Sequence, residues 1–207
     1  LVFINIDTLR LIVMNTLDKI CNKCESTEDA AENGHLDCLK RLYKEKGEWC
    51  EYEDEYTCAL AARGGHLECL KYAHENGCEW DETTCAYAAR GGQLKCLKYA
   101  RENGCEWNES TCSAAARGGH LDLLIYVRNK KCPWDSYTCA KAARGGHLEC
   151  LKYARENGCE WDYRTCTAAA KGGHLKCLQY AHKNGCGWDI FTCAYAAGGG
   201  HLECLKY

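Results

Sequence analysis

The sequence predicts an all-α solenoid of short helical hairpins. Three observations carry that prediction: a fixed 27-residue period, paired alanines on one helical face of each period, and glycine stops after nearly every helix. Thr-Cys recurs at 57/58, 84/85, 111/112, 138/139, 165/166 and 192/193 without a slip. Residues 57–81 and 138–162 differ only at Leu60 for Lys141 and His74 for Arg155. A unit this small cannot bury both of its faces alone, so its neighbours must complete it and the chain grows as a one-dimensional stack.

In chain order, the first element is an amphipathic stretch. Val2, Ile6, Leu9, Val13, Leu17, Ile20 and Cys24 fall at helical spacing, which predicts a capping helix over residues 1–26 that shields the open end of the stack. Residues 27–56 form a degenerate unit containing AAENGHLDCLKRLYKEKGEW, and its His35 lies 31 residues before His66, so an acidic link with four extra residues follows it. Full units are expected at 57–83, 84–110, 111–137, 138–164 and 165–191, with a partial unit at 192–207.

Within a unit, Cys85, Ala88 and Ala89 share one face of a first helix, and the alanine-rich run favours that helix. Gly91-Gly92 ends it, with Asn33-Gly34 in the degenerate unit, because both residue types tolerate the left-handed conformation that terminates helices. Leu94, Cys96, Leu97 and Ala100 then make the apolar face of a second helix, with Lys95, Lys98 and Arg101 outward and Asn103-Gly104 as its stop. Helix layers about 8–10 Å apart would make six units a rod of roughly 50–60 Å.

The run A-A-R-G-G-H-L-E-x-L-K-x-A-x-x-N-G-C-x-W-D resembles the ankyrin repeat over about residues 30–207. Ala88 and Ala89 match that family's alanine pair, Gly92 its turn glycine, Leu97 an inner position of its second helix, and Gly104-Cys105 its closing Gly-Ala. The family unit has about 33 residues, and the shortening here falls where it carries a projecting β-hairpin. The resemblance therefore implies an ankyrin-like helical-hairpin solenoid with truncated inter-repeat loops and little or no β-hairpin. Similar short units occur in protein families of protists, algae and giant DNA viruses. The resemblance also implies a non-enzymatic protein–protein interaction scaffold.

Twenty cysteines are the compositional oddity. Most fall in three columns, Cys58 to Cys193, Cys69 to Cys204 and Cys78 to Cys186, each matching a small buried position. They are read as packing residues in a reducing compartment inside the cell. Disulfides up the stack are excluded by layer spacing, since bridged Cα atoms lie within ~7 Å; pairs between columns stay open. Only Cys21-x-x-Cys24 shows half of a zinc pattern, so no metal and no cofactor is expected. No run reaches the ~18 apolar residues of a membrane span. Residues 1–21 carry Asn5, Asp7, Arg10 and Asn15 and lack a basic start, so no signal peptide is expected either.

The remaining repeated residues read as framework. Trp49, Trp80, Trp107, Trp134, Trp161 and Trp188 form a packing ladder, and Asp81, Asn108, Asp135, Asp162 and Asp189 suit helix capping. His35, His66, His120, His147, His174 and His201, with Gln93 once, are expected to bond within the turn. Arg63, Arg90, Arg117, Arg144 and Lys171 end the first helices, where the dipole favours a cation, and would present a basic stripe.

Binding should concentrate where copies differ. The links read Glu82-Thr83, Glu109-Ser110, Ser136-Tyr137, Tyr163-Arg164 and Ile190-Phe191, and one first-helix position reads Leu60, Tyr87, Ala114, Lys141, Ala168 and Tyr195. Glu82, Thr83, Tyr87, Glu109, Ser110, Ser136, Tyr137, Lys141, Tyr163, Arg164, Ile190, Phe191 and Tyr195 are thus the candidate contacts for another protein, with the strongest contact expected in the late units. Two other classes compete: a nucleic-acid-binding repeat, disfavoured by the net charge of -3, and a cysteine-rich metal- or thiol-binding protein. A residue present identically in every copy is a poor catalytic candidate, so no enzymatic activity is expected.

Overall fold

Alanine faces and glycine stops at a 27-residue interval fold into seven consecutive helical hairpins. A computed structural model describes residues 24–49, 54 and 56–207. The capping helix predicted over 1–26 lies, apart from its last three residues, outside the described residues. The hairpins pair α1 (Thr27–Glu32) with α2 (Leu36–Lys46), α3 (Thr57–Gly64) with α4 (Leu67–Glu75), and α5 (Glu82–Arg90) with α6 (Leu94–Glu102). They continue with α7 (Glu109–Gly118) and α8 (Leu121–Asn129), α9 (Ser136–Gly145) and α10 (Leu148–Glu156), α11 (Tyr163–Gly172) and α12 (Leu175–Lys183), and α13 (Ile190–Gly198) and α14 (Leu202–Lys206). No strand occurs among the described residues.

The pairs read as links belong to helices. Asp81 caps α5, its carboxylate accepting the Thr83 N–H at 2.9 Å, so Glu82-Thr83 is the first turn of that helix. Asn108, Asp135 and Asp162 do the same for Ser110, Tyr137 and Arg164. Asp189 adds a reciprocal bond, accepting from the Thr192 N–H while Thr192 Oγ1 accepts from its own. Each cap satisfies an orphan amide of the helix start. It also moves the variable residues from a flexible connection onto a rigid helix.

Adjacent first helices approach one another far more closely than adjacent second helices do. The physical reason is size: the facing surfaces are alanine pairs such as Ala88–Ala89, Ala115–Ala116 and Ala142–Ala143, all fully buried. Leucines such as Leu97, Leu124 and Leu151 fill the wider space between first and second helices. The stack therefore curves with its first helices on the inside.

Turn glycines set the same spacing. Gly92 sits at φ +73, and a Cβ there would meet the His120 ring at 2.6 Å. That imidazole reaches across to the preceding hairpin, Nε2–H donating to the Arg90 carbonyl at 3.1 Å; His66 reaches Glu32 at 3.0 Å and His201 reaches Lys171 at 3.2 Å. The histidine column thus staples one unit to the next instead of closing its own turn. Gln93 is the exception, bonding the Gly91 carbonyl of its own turn at 2.9 Å.

At the second stop the constraint is looser. Gly104 at φ +90 has open space around it, and Lys131 occupies the corresponding place at φ +63. Replacing Lys131 by glycine is expected to raise stability by about 0.5–1 kcal/mol, the left-handed penalty net of glycine's entropy. Gly92→Ala should cost about 2–5 kcal/mol, since overpacking against His120 adds to that penalty. Urea denaturation of both variants checks this, and a mild effect at Gly92 would refute the staple.

Candidate partner-binding surface

The cysteine columns divide into two roles. Cys85 Sγ lies 3.3 Å from Cys105 Sγ, and Cys105 in turn donates its S–H to the Asp81 carbonyl at 3.0 Å. Cys132, Cys159 and Cys186 make the same bond to Asn108, Asp135 and Asp162 at 3.1–3.3 Å. The first and third columns together tie the start of each first helix to the chain leaving the second helix. Donation to its partner, and then burial, pushes each first-column thiol, Cys58 to Cys166, far above the ordinary thiol range. The second column is plainer: burial leads in pushing Cys69, Cys96, Cys150 and Cys177 up to about 11. Leu123 can replace such a cysteine because no bond is lost.

The tryptophans pack. Trp107, Trp134 and Trp161 lie under Arg101, Arg128 and Arg155 at 4.5, 3.9 and 4.6 Å, and Trp80 and Trp188 stack on His74 and His182 at 3.5 and 4.1 Å. The edges of Trp80, Trp134 and Trp161 meet the next unit's Tyr99, Tyr153 and Tyr180. His74 and Arg155, one of the two differences between the near-identical copies, are interchangeable flat partners for this ring. Cation and ring stacking favours either.

On the inner face, Tyr137, Ala140, Lys141 and Arg144 of α9, Arg164, Thr167, Ala168 and Lys171 of α11, and Tyr195 of α13 line an open groove of about 220 Å³. Their spacing along each helix puts them on one face. The Arg164 guanidinium lies 4.6 Å over the Tyr137 ring, braced by Ser136 Oγ at 3.2 Å and by Asp162, whose carboxyl it holds below the usual range. Lys171 lies 4.6 Å over the Tyr195 ring. Burial, then the proximity of Arg117, Arg144 and Arg90, lowers the Lys141 pKa. Among the described residues, Arg90, Arg117, Lys141, Arg144 and Lys171 form no ion pair, whereas Arg63 is paired with Glu32.

Of the thirteen candidates, Tyr137, Lys141, Arg164 and Tyr195 therefore converge. Ser136 braces Arg164, and Phe191 lies beside Tyr195 with ring centroids 6.4 Å apart. Thr83 and Ser110 spend their hydroxyls on their own cap residues. Tyr87 packs with Tyr56 at the other end of the array. Glu82 and Glu109 are exposed, as are Tyr163 at 51% and Ile190 at 81%; all four hold the first helical position, outside the groove lining. Arg144, Lys171 and Thr167 were not singled out by variability; their signal was a place one helical turn from a variable residue. Metal-ligating side chains converge elsewhere, where Cys24, His35 and Cys38 meet at the α1–α2 hairpin.

Two family models decide the relationship. One, described as ankyrin repeats (3 copies), matches residues 27–111, and another, ankyrin repeats (many copies), matches residues 139–182. Together they take in more than half of the chain. The chain belongs to the ankyrin-repeat family. Its fold is similar to that of the human ASB11 ankyrin repeat domain, with a TM-score of 0.59 and 20% identity over 79% of this chain and 85% of that one. No curated protein matches. Ankyrin repeats are in general protein–protein interaction modules, and no helix among the described residues is long and apolar enough to cross a membrane.

Burial is the leading cause that holds His74 and His174 below their ordinary pKa of 6.5. The unfolded array then binds more protons than the folded one, so stability is full above about pH 6.5 and falls as pH drops toward the folded values. The array supplies its own tolerated replacements, Arg155 and Gln93. The double variant His74→Arg with His174→Gln should therefore show a smaller loss of melting temperature between pH 7.5 and 5.5 than the parent. Parallel pH profiles would sink this account.

Proposed function

We propose that this ankyrin-repeat chain is a non-enzymatic interaction scaffold whose inner face binds an acidic segment of a partner protein, anchored in the groove between Tyr137 and Tyr195. One observation carries it: five cations without ion pairs among the described residues, Arg90, Arg117, Lys141, Arg144 and Lys171, align on one face of a molecule whose net charge is -3. Crowded like charges repel one another until an anion arrives, so a carboxylate seated among them relieves that repulsion as well as pairing. The flanking rings supply apolar anchors, and Arg with Tyr is a usual composition of binding hot spots.

Nucleic acid fits this stripe less well. Helix layers about 8–10 Å apart offer one or two cations each, while a duplex strand carries a phosphate about every 3.4 Å. A reducing, intracellular setting suits the thiols: oxidising Cys85 and Cys105 to a disulfide would remove the S–H that donates to Asp81.

Fluorescence anisotropy with an Asp/Glu-rich peptide containing aromatic anchors, beside a single-stranded oligonucleotide of equal length, tests the proposal. The peptide is expected to bind, and Lys141→Glu with Lys171→Glu to weaken it about 10–100-fold, each tenfold being about 1.4 kcal/mol. Tyr137→Ser with Phe191→Ser should weaken it as well. Unchanged peptide affinity in the charge-reversal variant, or binding of the oligonucleotide alone, would overturn the proposal.

A further inference from the structure

Seventeen of the twenty cysteines belong to the three framework columns, and the three that do not, Cys21, Cys24 and Cys50, all lie in the first fifty residues. Cys24 occupies a place where later units carry Glu82, Glu109, Ser136, Tyr163 or Ile190, so the packing that explains the columns does not explain it. It is nonetheless buried, at 5% exposure.

Cys24 sits against His35, which precedes α2, and Cys38 in its first turn. Its Sγ is 3.0 Å from His35 Nδ1, and these two atoms and Cys38 Sγ all lie within 4.8 Å of one another. Tetrahedral zinc with Zn–S of about 2.3 Å and Zn–N of about 2.0–2.1 Å separates its ligand atoms by roughly 3.5–3.8 Å, so modest side-chain rotation would place three of the four ligands, with water completing the tetrahedron. The histidine differs from its column in a telling way: His66, His120 and His201 point Nε2 at a carbonyl of the preceding hairpin, whereas His35 turns Nδ1 to a thiol.

The surroundings favour thiolate. Cys38 lies in the first turn of α2, where the helix dipole stabilises negative charge. The Arg41 guanidinium, 3.5 Å from the Cys24 carbonyl, adds positive charge beside the pair. In sequence, Cys24 ends the pair Cys21-x-x-Cys24, and His35-x-x-Cys38 recurs in later units, as at His66-x-x-Cys69, where no cysteine takes the place of Cys24.

We propose that Cys24, His35 and Cys38 bind one zinc ion that locks the chain entering the array onto its first hairpin. Two thiolates and a neutral imidazole balance the dication, and binding displaces the two thiol protons. Zinc suits this soft sulfur and nitrogen donor set better than magnesium or calcium, which take oxygen ligands.

The test uses the full chain, stripped with chelator and titrated first with zinc and then with cobalt as a spectroscopic probe. One equivalent is expected, with the intense absorption of tetrahedral cobalt and thiolate-to-cobalt charge transfer. Cys24→Ser, Cys38→Ala and His35→Gln should each weaken binding at least tenfold. His35→Gln and Cys38→Ala keep the fold, because Gln93 already stands in the histidine column and Leu123 shows that the second cysteine column accepts an apolar side chain; circular dichroism confirms it for each variant. Cys69→Ala and Cys96→Ala, same-column controls, should bind like the parent. Absence of a stoichiometric metal, octahedral cobalt spectra, or equal losses in the control variants would overturn the proposal.

Discussion

The closeness of neighbouring first helices is the constraint from which the rest of this structure follows. Only a methyl group fits between them, so the facing residues are alanine pairs such as Ala115 and Ala116, without exposed surface. The turns that end those helices must be equally thin, which is why Gly92, Gly119, Gly146 and Gly173 face an imidazole of the next hairpin, and Gly65 the Gln93 amide, with no room for a side chain. The second helices carry leucine at their inner positions and stand further apart. Curvature is therefore written into the size difference between alanine and leucine, and an inner face exists because of it.

Shortness of the unit creates a second demand. Without a projecting hairpin, little chain remains to seal the ends of each helix pair, and polar backbone groups there must still be satisfied. Side chains take over that work. Asp81 or its equivalent caps the first helix, Cys105 donates to the carbonyl of that same cap residue, and an arginine or histidine lies flat on the tryptophan that follows. Arg101 does two of these tasks at once, stacking on Trp107 and donating to the Cys105 carbonyl at 2.7 Å. A compact seal built from small polar atoms explains why cysteine, a small apolar residue with a weak donor, recurs where alanine alone would leave a carbonyl unbonded.

The periodic part of this architecture was legible in the sequence because each of its signals is local: a period, an alanine pair, a glycine stop, a cap residue. What was not legible depends on contacts between units. Nothing in the letters Gly-Gly-His says that the imidazole crosses to the preceding hairpin, since a turn of that composition can also bond within itself, as Gln93 does. The pairs after each tryptophan looked like links because the helix propensity of Glu-Thr or Tyr-Arg is ordinary, and only the cap geometry adds them to the helix. Of the candidate contacts, the four that share a groove are those whose positions three, four or seven apart fall on the inner face. Variability alone could not separate Tyr137 from Tyr163. His35 and Cys38 were hidden for the opposite reason: each sits in a repeated column, and repetition reads as framework.

That concealment shows how a repeat can acquire something unique without breaking its lattice. An array built on identical copies has few positions that differ, so chemistry specific to one place must come from a new neighbour beside an old residue. Cys24 does this at the first hairpin, giving His35 and Cys38 a partner that no later copy of those columns has. Lys141 and Arg164 do it on the inner face, beside the repeated cations: Lys141 crowds Arg117 and Arg144, and Arg164 lies over the Tyr137 ring in the lining of the groove. In both places the framework residue supplies position and the added residue supplies chemistry. The framework can remain almost invariant while what it binds changes with one or two substitutions per unit.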